Sequence, residues 1–311
     1  MLWPTIPYAR FESTGLALHM WCQIIGKLRL RLQPWLNHSW HATFYVNAQG
    51  LTTGLMQDAH GGLEAVFDLR GHRLVLRRSD GREEVIALSS MAVSAFHTAV
   101  MTALERLDVP RDLHHAPNEV PDPVPFRDQH DVLTYDPDAA RDFWLALVAI
   151  DGVFQRFRTG FLGKATPPHF FWGSFDFALT RFSGRTAPLH PGGFPALPDT
   201  VTREAYSHEV SSAGFWPGGN GKDEAYFYAY AYPSPAGFAQ AAVSPDGAFF
   251  DTSLGEFLLP YEAVRSALDP TAALLAFLQS TYDAAADGAQ WDRAALECEI
   301  GWPPRVPRAL T

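Results

Sequence analysis

Five prolines, Pro110, Pro117, Pro121, Pro123 and Pro125, fall within residues 109–131. Proline fixes φ and removes a backbone donor, so this stretch carries neither a continuous helix nor a central strand. Whatever the chain folds into must form on either side of it. The same order of elements reads out on both sides: a long helix, several strands, a helix. That order divides the chain into an N-terminal half at 1–110, a proline-rich connection at 111–135, a C-terminal half at 136–300 and a tail at 301–311. The other reading of the connection is an ordered arm that wraps a neighbour.

Apolar spacing predicts a first helix from Leu16 to Arg31, stopped by Pro34. Strands are expected over 41–48, 51–56, 63–69, 73–78 and 83–88, with Asp80-Gly81 as a hairpin turn. Ser89 or Ser90 is expected to cap a helix with Val93, Phe96, Val100, Leu104 and Leu107 on its stripe. In the second half Asp136-Pro137 opens a long apolar helix running through Phe143, Phe154 and Phe161. Strands follow over 169–180, 206–212, 224–232, 248–251 and 256–259. A helix from Tyr261, broken at Asp269-Pro270, and a short one over 291–297 precede a draped tail.

The halves align when residues 37–44 are set opposite 168–175, an offset of 131. The expected fold class is α+β: two similar halves, each a mainly antiparallel sheet flanked by helices, with an internal duplication as the reading of the shared order. The alternative is two unrelated halves that share a common arrangement. If 169–180 is one strand, Phe171, Phe175 and Phe177 share a face with Gly173, and Trp172, Ser174 and Asp176 share the other. In the first half Phe44 and Val46 oppose His41, Thr43 and Tyr45. A ligand is expected where the two polar faces meet.

Composition narrows the function. Of 311 residues, 47% are hydrophobic and 19% charged, which excludes disorder. The net charge of −10 argues against a nucleic-acid or anionic-membrane partner. Two cysteines, Cys22 and Cys298, make neither a disulfide scaffold nor a cysteine-rich zinc site. The start of the chain lacks a signal-peptide pattern, and the longest uncharged apolar run, 143–150, is too short to span a bilayer. A cytoplasmic protein, monomeric or homodimeric, is the expectation.

Aromatic residues concentrate locally: 15 of the 64 residues from His169 to Tyr232, nearly twice the chain average of 13%. Tyr226, Tyr228, Tyr230 and Tyr232 recur at the strand period and share one face. Such a row is either a half-buried face under a loop or the wall of a small-molecule site. The expected ligand-binding residues are Trp172, Arg181, Arg185, Trp216, Tyr228 and Tyr230, with His41 and Tyr45 from the first half. Arg181 and Arg185 suit an anion, or else an ion pair with Glu204, Glu209 or Asp176. His208, Asp176 and Glu209 are the catalytic candidates, because a histidine near a carboxylate serves as a general base near neutral pH. His169, Asp176, His208 and Glu209 are also the candidate metal ligands. The plain alternative for each histidine is a hydrogen-bonded structural residue. No phosphate loop, nucleophile elbow or His-Glu-x-x-His motif is present.

The runs His169-Phe-Phe-Trp-Gly-Ser-Phe-Asp176, Thr180-Arg-Phe-Ser-Gly-Arg185, Ala205-Tyr-Ser-His-Glu-Val-Ser-Ser212 and Gly214-Phe-Trp-Pro-Gly-Gly219 resemble a bacterial domain-of-unknown-function family, family 5996. Trp3-Pro4 and the first helix, with Trp21, Gln23, Gly26 and Lys27, resemble it too. The resemblance covers roughly residues 1–300. It implies a stand-alone bacterial protein and brings no activity, cofactor or catalytic residue. From the residues themselves the expectation is an enzyme of hydrolase or lyase type, acting on a small polar molecule in an aromatic-walled pocket. The alternatives are a non-catalytic ligand-binding protein and an interaction protein that dimerises through the aromatic face.

Overall fold

A computed structural model describes residues 3–219 and 221–301. The tail expected to be draped therefore lies outside the described residues, apart from its first position. The N-terminal half comprises α1 (Tyr8–Leu32), β1 (Tyr45–Val46), β2 (Gly50–Thr52), β3 (Met56–Asp58), β4 (Gly61–Asp68), β5 (Arg73–Arg78), β6 (Glu83–Ala87), β7 (Met91–Ala92) and α2 (Val93–Arg106). In the connection, β8 (Val132–Leu133) pairs with β7. The C-terminal half comprises α3 (Pro137–Arg158), β9 (His169–Phe171), β10 (Asp176–Thr186), α4 (Asp199–Ala205), β11 (His208–Trp216), β12 (Tyr226–Tyr232), β13 (Phe249–Asp251), β14 (Glu256–Pro260), α5 (Tyr261–Arg265), α6 (Pro270–Gly288) and α7 (Arg293–Leu296).

Each half forms a six-stranded antiparallel sheet flanked by helices. The first is ordered β1-β2-β4-β5-β6 with β3 also on β4; the second is β13-β14-β12-β11-β10-β9. The sheets meet edge to edge. Phe44, just before β1, exchanges both backbone hydrogen bonds with Phe170 on β9, at 2.9 and 2.8 Å. The first strands of the two halves are thus antiparallel neighbours, as a local two-fold would place them. Leu32 and Arg158 end the long helices twelve residues before Phe44 and Phe170 respectively. Both landmarks set the offset at 126 residues, five fewer than the alignment by sequence.

One apolar cluster runs through both halves. Its axis is α1, which is buried on every side from Met20 to Arg29 and packs against α2 and α3. That accounts for its weak amphipathicity: an enclosed helix has no polar face to present. Asp136 caps α3 as expected, its carboxylate accepting from the Asp138 and Ala139 backbone N–H groups at 2.9 and 3.1 Å, with Pro137 in the first turn. Two terminal expectations fail. Helix α2 starts at Val93 without a serine cap, because Ser90 Oγ instead accepts from the Tyr135 N–H. Helix α3 stops at Arg158, and Phe161 lies beyond it.

The proline-rich connection is ordered on its own chain. Leu113 and Phe126 are buried in the common core, and Asn118 is bound to α1. The stretch expected as one strand over 169–180 is a hairpin, with residues 172–175 as its turn. The turn resets the alternation. Phe171 pairs opposite Asp176 and shares its face, whereas Phe170 joins Phe177 on the helix side. Tyr206 is not on a strand; it closes α4, a helix the sequence reading missed.

Candidate functional site

The face of the second sheet away from the helices carries Tyr226, Tyr228, Tyr230 and Tyr232, all half-buried, while Phe227, Ala229 and Ala231 between them are buried against the core. The shared face expected from their spacing is what the strand builds. Register places Trp216, Gly214, Ser212 and Val210 of β11 beside the four tyrosines, and Ala178 and Thr180 of β10 beyond them. Each phenol has a partner. Tyr226 donates to Glu224, Tyr228 to Asp176 and Tyr232 to the Pro188 carbonyl, while Tyr230 and Tyr206 share a hydroxyl contact of 2.7 Å. Tyr228 reaches across β11 to β10 because residue 214 is glycine; a Cβ there would overlap the Tyr228 ring and hydroxyl.

Asp176 sits where three segments converge. It is 8% exposed and accepts from Tyr228 and from Ser174. Burial raises its pKa, and the two hydroxyls act against that. The turn before it is fixed by α1. His19 Nε2 donates to the Gly173 carbonyl at 2.8 Å, which assigns the tautomer, and Gln23 Nε2 donates to the same carbonyl at 3.2 Å. Gly26 leaves room for the Trp172 indole, whose Nε1 donates to the Ala42 carbonyl at 2.5 Å. Gln23 also holds the connection: Nε2 donates to the Asn118 carbonyl at 2.7 Å and Oε1 accepts from the Asn118 N–H at 3.0 Å.

That clamp delivers Glu119, whose carboxylate occupies the space a side chain at residue 173 would need. Burial and the neighbouring Asp176 charge raise Glu119 to about 7, against the pull of Lys27. Lys27, bonded to Asn118 Oδ1, is lowered to about 8 by burial. Glu256 on β14 faces the same way as Leu258, the partner of Tyr228; burial, then Asp176, raises it to about 7. Among the described residues, no hydrogen bond or ion pair holds the carboxyl group of Glu119 or Glu256. Three walls of the site contain non-glycine residues in the left-handed region: Glu119 at φ 58°, Phe175 at 59° and Ala196, whose carbonyl accepts from Asn118, at 48°. Such conformations cluster where a surrounding structure enforces a geometry.

Of the expected residues, Asp176, Tyr228 and Tyr230 come together, with Trp172 buttressing the turn behind them and Trp216 at the end of the same face. The others go elsewhere. Arg181 points to the helix side. It is 1% exposed, stacked over Phe157 at 3.5 Å and Tyr282 at 4.4 Å, and it donates to the Phe157 carbonyl. Strand parity within β10, five residues on from Asp176, puts it on the opposite face. Arg185 and Glu209 form an ion pair at 2.7 Å, the structural alternative anticipated for them. His208 pairs with Thr186, at the far end of the β10–β11 ladder from Asp176, roughly 25 Å away by strand rise. His41, Tyr45 and His169 lie at the junction of the sheets: Tyr45 packs edge-on to His169, and His41 Nδ1 accepts from the Leu36 N–H. Among the described residues, no three His, Cys, Asp or Glu side chains are placed to hold a metal ion, and His169, Asp176, His208 and Glu209 are dispersed.

Sequence reasoning missed Glu119, Glu256, Lys27 and Tyr206. Glu119 lay in a segment read as a linker, and only the resemblance drew attention to Lys27. An open depression of about 350 Å³ lies elsewhere, beside α6, lined by Asp269, Ala272, Leu275 and Gln279. No described helix is long and apolar enough to cross a membrane. A family model described as a family of unknown function, DUF5996, matches residues 3–298. Neither the curated proteins nor the solved structures give a match.

Proposed function

The chain belongs to the DUF5996 family, a family of unknown function, and from that starting point we propose that it is an enzyme that moves protons on a small polar molecule at Asp176. One observation carries this reading. Two carboxyl groups from distant segments, Glu119 and Glu256, flank Asp176 with no hydrogen bond among the described residues, and both are shifted to about 7. Perturbed acids gathered beside phenols are the usual setting of general acid–base chemistry. At neutral pH a carboxyl group near 7 divides between its acid and base forms, so it both delivers and accepts a proton. Tyr228 and Ser174 hold Asp176, and Tyr230 with Tyr206 supplies an aromatic wall with hydroxyls. A hydrolytic or lyase-type reaction fits this set. We take the cytoplasm as its compartment; the two cysteines, Cys22 and Cys298, are both free.

The test is a ligand screen by thermal melting with neutral sugars, polyols, amino acids and amines. Compounds that stabilise the wild-type protein should lose most of that effect in Glu119→Gln/Glu256→Gln, and any turnover found should fall at least a hundredfold. Stabilisation that survives in this variant, with no turnover, would leave a non-catalytic binding protein as the better reading. The dimer alternative is less favoured, because Tyr206 and Pro188 of the same chain already engage Tyr230 and Tyr232.

A further inference from the structure

Cationic side chains without carboxylate partners gather where the two sheets join. Arg29 is 6% exposed; it lies 5.8 Å from the Tyr45 ring and donates to the Thr53 carbonyl, and its Nε has no partner. Arg158 Nε likewise has none, and among the described residues its guanidinium donates to Gln155 at 2.8 Å. His169 is 1% exposed, with Nδ1 unpartnered, enclosed edge-on by Tyr45 and tilted against Trp40. Burial, and after it the Arg29 and Arg158 charges, lower this ring to about 3, so it is neutral. Lys164 lies over the Trp40 and Phe182 rings at 5.0 and 4.9 Å and donates to His38 Nε2 at 2.9 Å. His38 Nδ1 donates to the Ala205 carbonyl, and the His208 ring stands 5.8 Å from His38.

In a chain of net charge −10, most other arginines are paired with carboxylates; Arg29, Arg158 and Lys164 form no ion pair among the described residues. Two acids act on the cluster only through space: Asp151 on Arg158, and Glu204, whose Oε2 is buried without a hydrogen bond, on Lys164 and His38. The buried Nε groups of Arg29 and Arg158 lack acceptors, which is costly to fold around, and a bound anion offsets that cost. The roof of the seam is under backbone strain: His38 and Ser39, consecutive and both non-glycine, have φ of 58° and 59°, and Ser39 Oγ is also unpartnered. His38 and Lys164 are 126 residues apart, the offset of the halves, so equivalent positions of the two halves meet there.

We propose that this seam binds a small organic anion bearing a phosphate or carboxylate group, with the charged group held by Arg29, Lys164 and the His169 Nδ1–H, and its planar part against Tyr45 and Trp40. The site is separate from the Asp176 cluster and does not depend on its chemistry. Entry is through Lys164, which is exposed, with a shift of the strained turn at residues 37–39.

Inorganic phosphate and benzoate, each at matched ionic strength in chloride, are the probes, read by thermal melting and by titration calorimetry of the full chain. At least one should raise the melting temperature saturably. The one that does so names the charged group, and both doing so supports the shared anion chemistry. Lys164→Gln should weaken binding at least tenfold, Arg29→Met should abolish it, and Arg127→Gln, an exposed control, should change nothing. Should Arg29→Met fail to fold, Lys164→Gln decides, because its exposed side chain is not needed for folding. Absence of saturable binding of both probes, or binding unchanged in Lys164→Gln, overturns the proposal.

Discussion

At Gly214 a missing side chain permits a bond two strands wide. Gly214→Ala places a methyl where the Tyr228 phenol lies, so the phenol must leave Asp176. Asp176 then keeps Ser174 alone in a buried setting. The expected loss is about 1–3 kcal/mol, the cost of an unmet buried polar group, measured by urea unfolding. Tyr228→Phe removes the same hydroxyl without overlap, so combining the two substitutions should cost clearly less than the sum of the single changes. Full additivity would mean that Gly214 serves some other contact. The tyrosine row was legible because a period of two is a property of local sequence. The glycine's role was not, since it depends on which strand lies alongside. Arg181 shows a different limit: five residues from Asp176 on the same strand, it faces the other way by parity, and a basic residue read as ligand-facing is a core cation under Phe157 and Tyr282.

Among the elements, α1 does the most to position the site. Its long apolar spacing was legible, as was the Asp136-Pro137 start of α3. Its function as a clamp was not, because Gln23 on an enclosed helix looks from sequence like one polar residue on an apolar run. Gln23→Leu removes two bonds to the Asn118 backbone and one to the Gly173 carbonyl while keeping volume. We expect destabilisation of about 2–4 kcal/mol from these orphaned groups. The amides of residues 117–121 should exchange faster than in wild type while α3 stays protected. Uniform acceleration across α3 would instead indicate general loss of stability and no specific clamp. The connection itself illustrates why prolines mislead here: they fix extended backbone, and Gln23 uses that fixed backbone to present Glu119.

Over the whole molecule, two sets of buried groups oppose one another as pH changes. Burial lowers His19 to about 4 and His169 to about 3, and lowers His38, His41, His97 and His190 as well. The unfolded chain protonates these rings near about 6.5, so below that pH it holds more protons and the fold loses stability as pH falls. Glu119 and Glu256, raised to about 7, run the other way. Their stabilising contribution is complete below the unfolded carboxyl value of about 4.5 and is lost as pH rises through about 7. The six histidines outnumber the glutamates together with Asp176 and Asp151, which burial also raises, so the net expectation is a loss of stability on acidification from about pH 6.5 to about 4.5. Glu119→Gln/Glu256→Gln removes two members of the opposing set and no histidine. This variant should lose stability more steeply than wild type over that window, and at about pH 8 it should exceed wild type by about 1–3 kcal/mol per carboxyl. Urea unfolding at about pH 5, 6.5 and 8 reads both effects. Parallel pH profiles, or a variant less stable than wild type at the alkaline end, would mean that the two carboxyl groups are ionised and welcome in the fold, and the acid–base reading of the Asp176 cluster would fall with them.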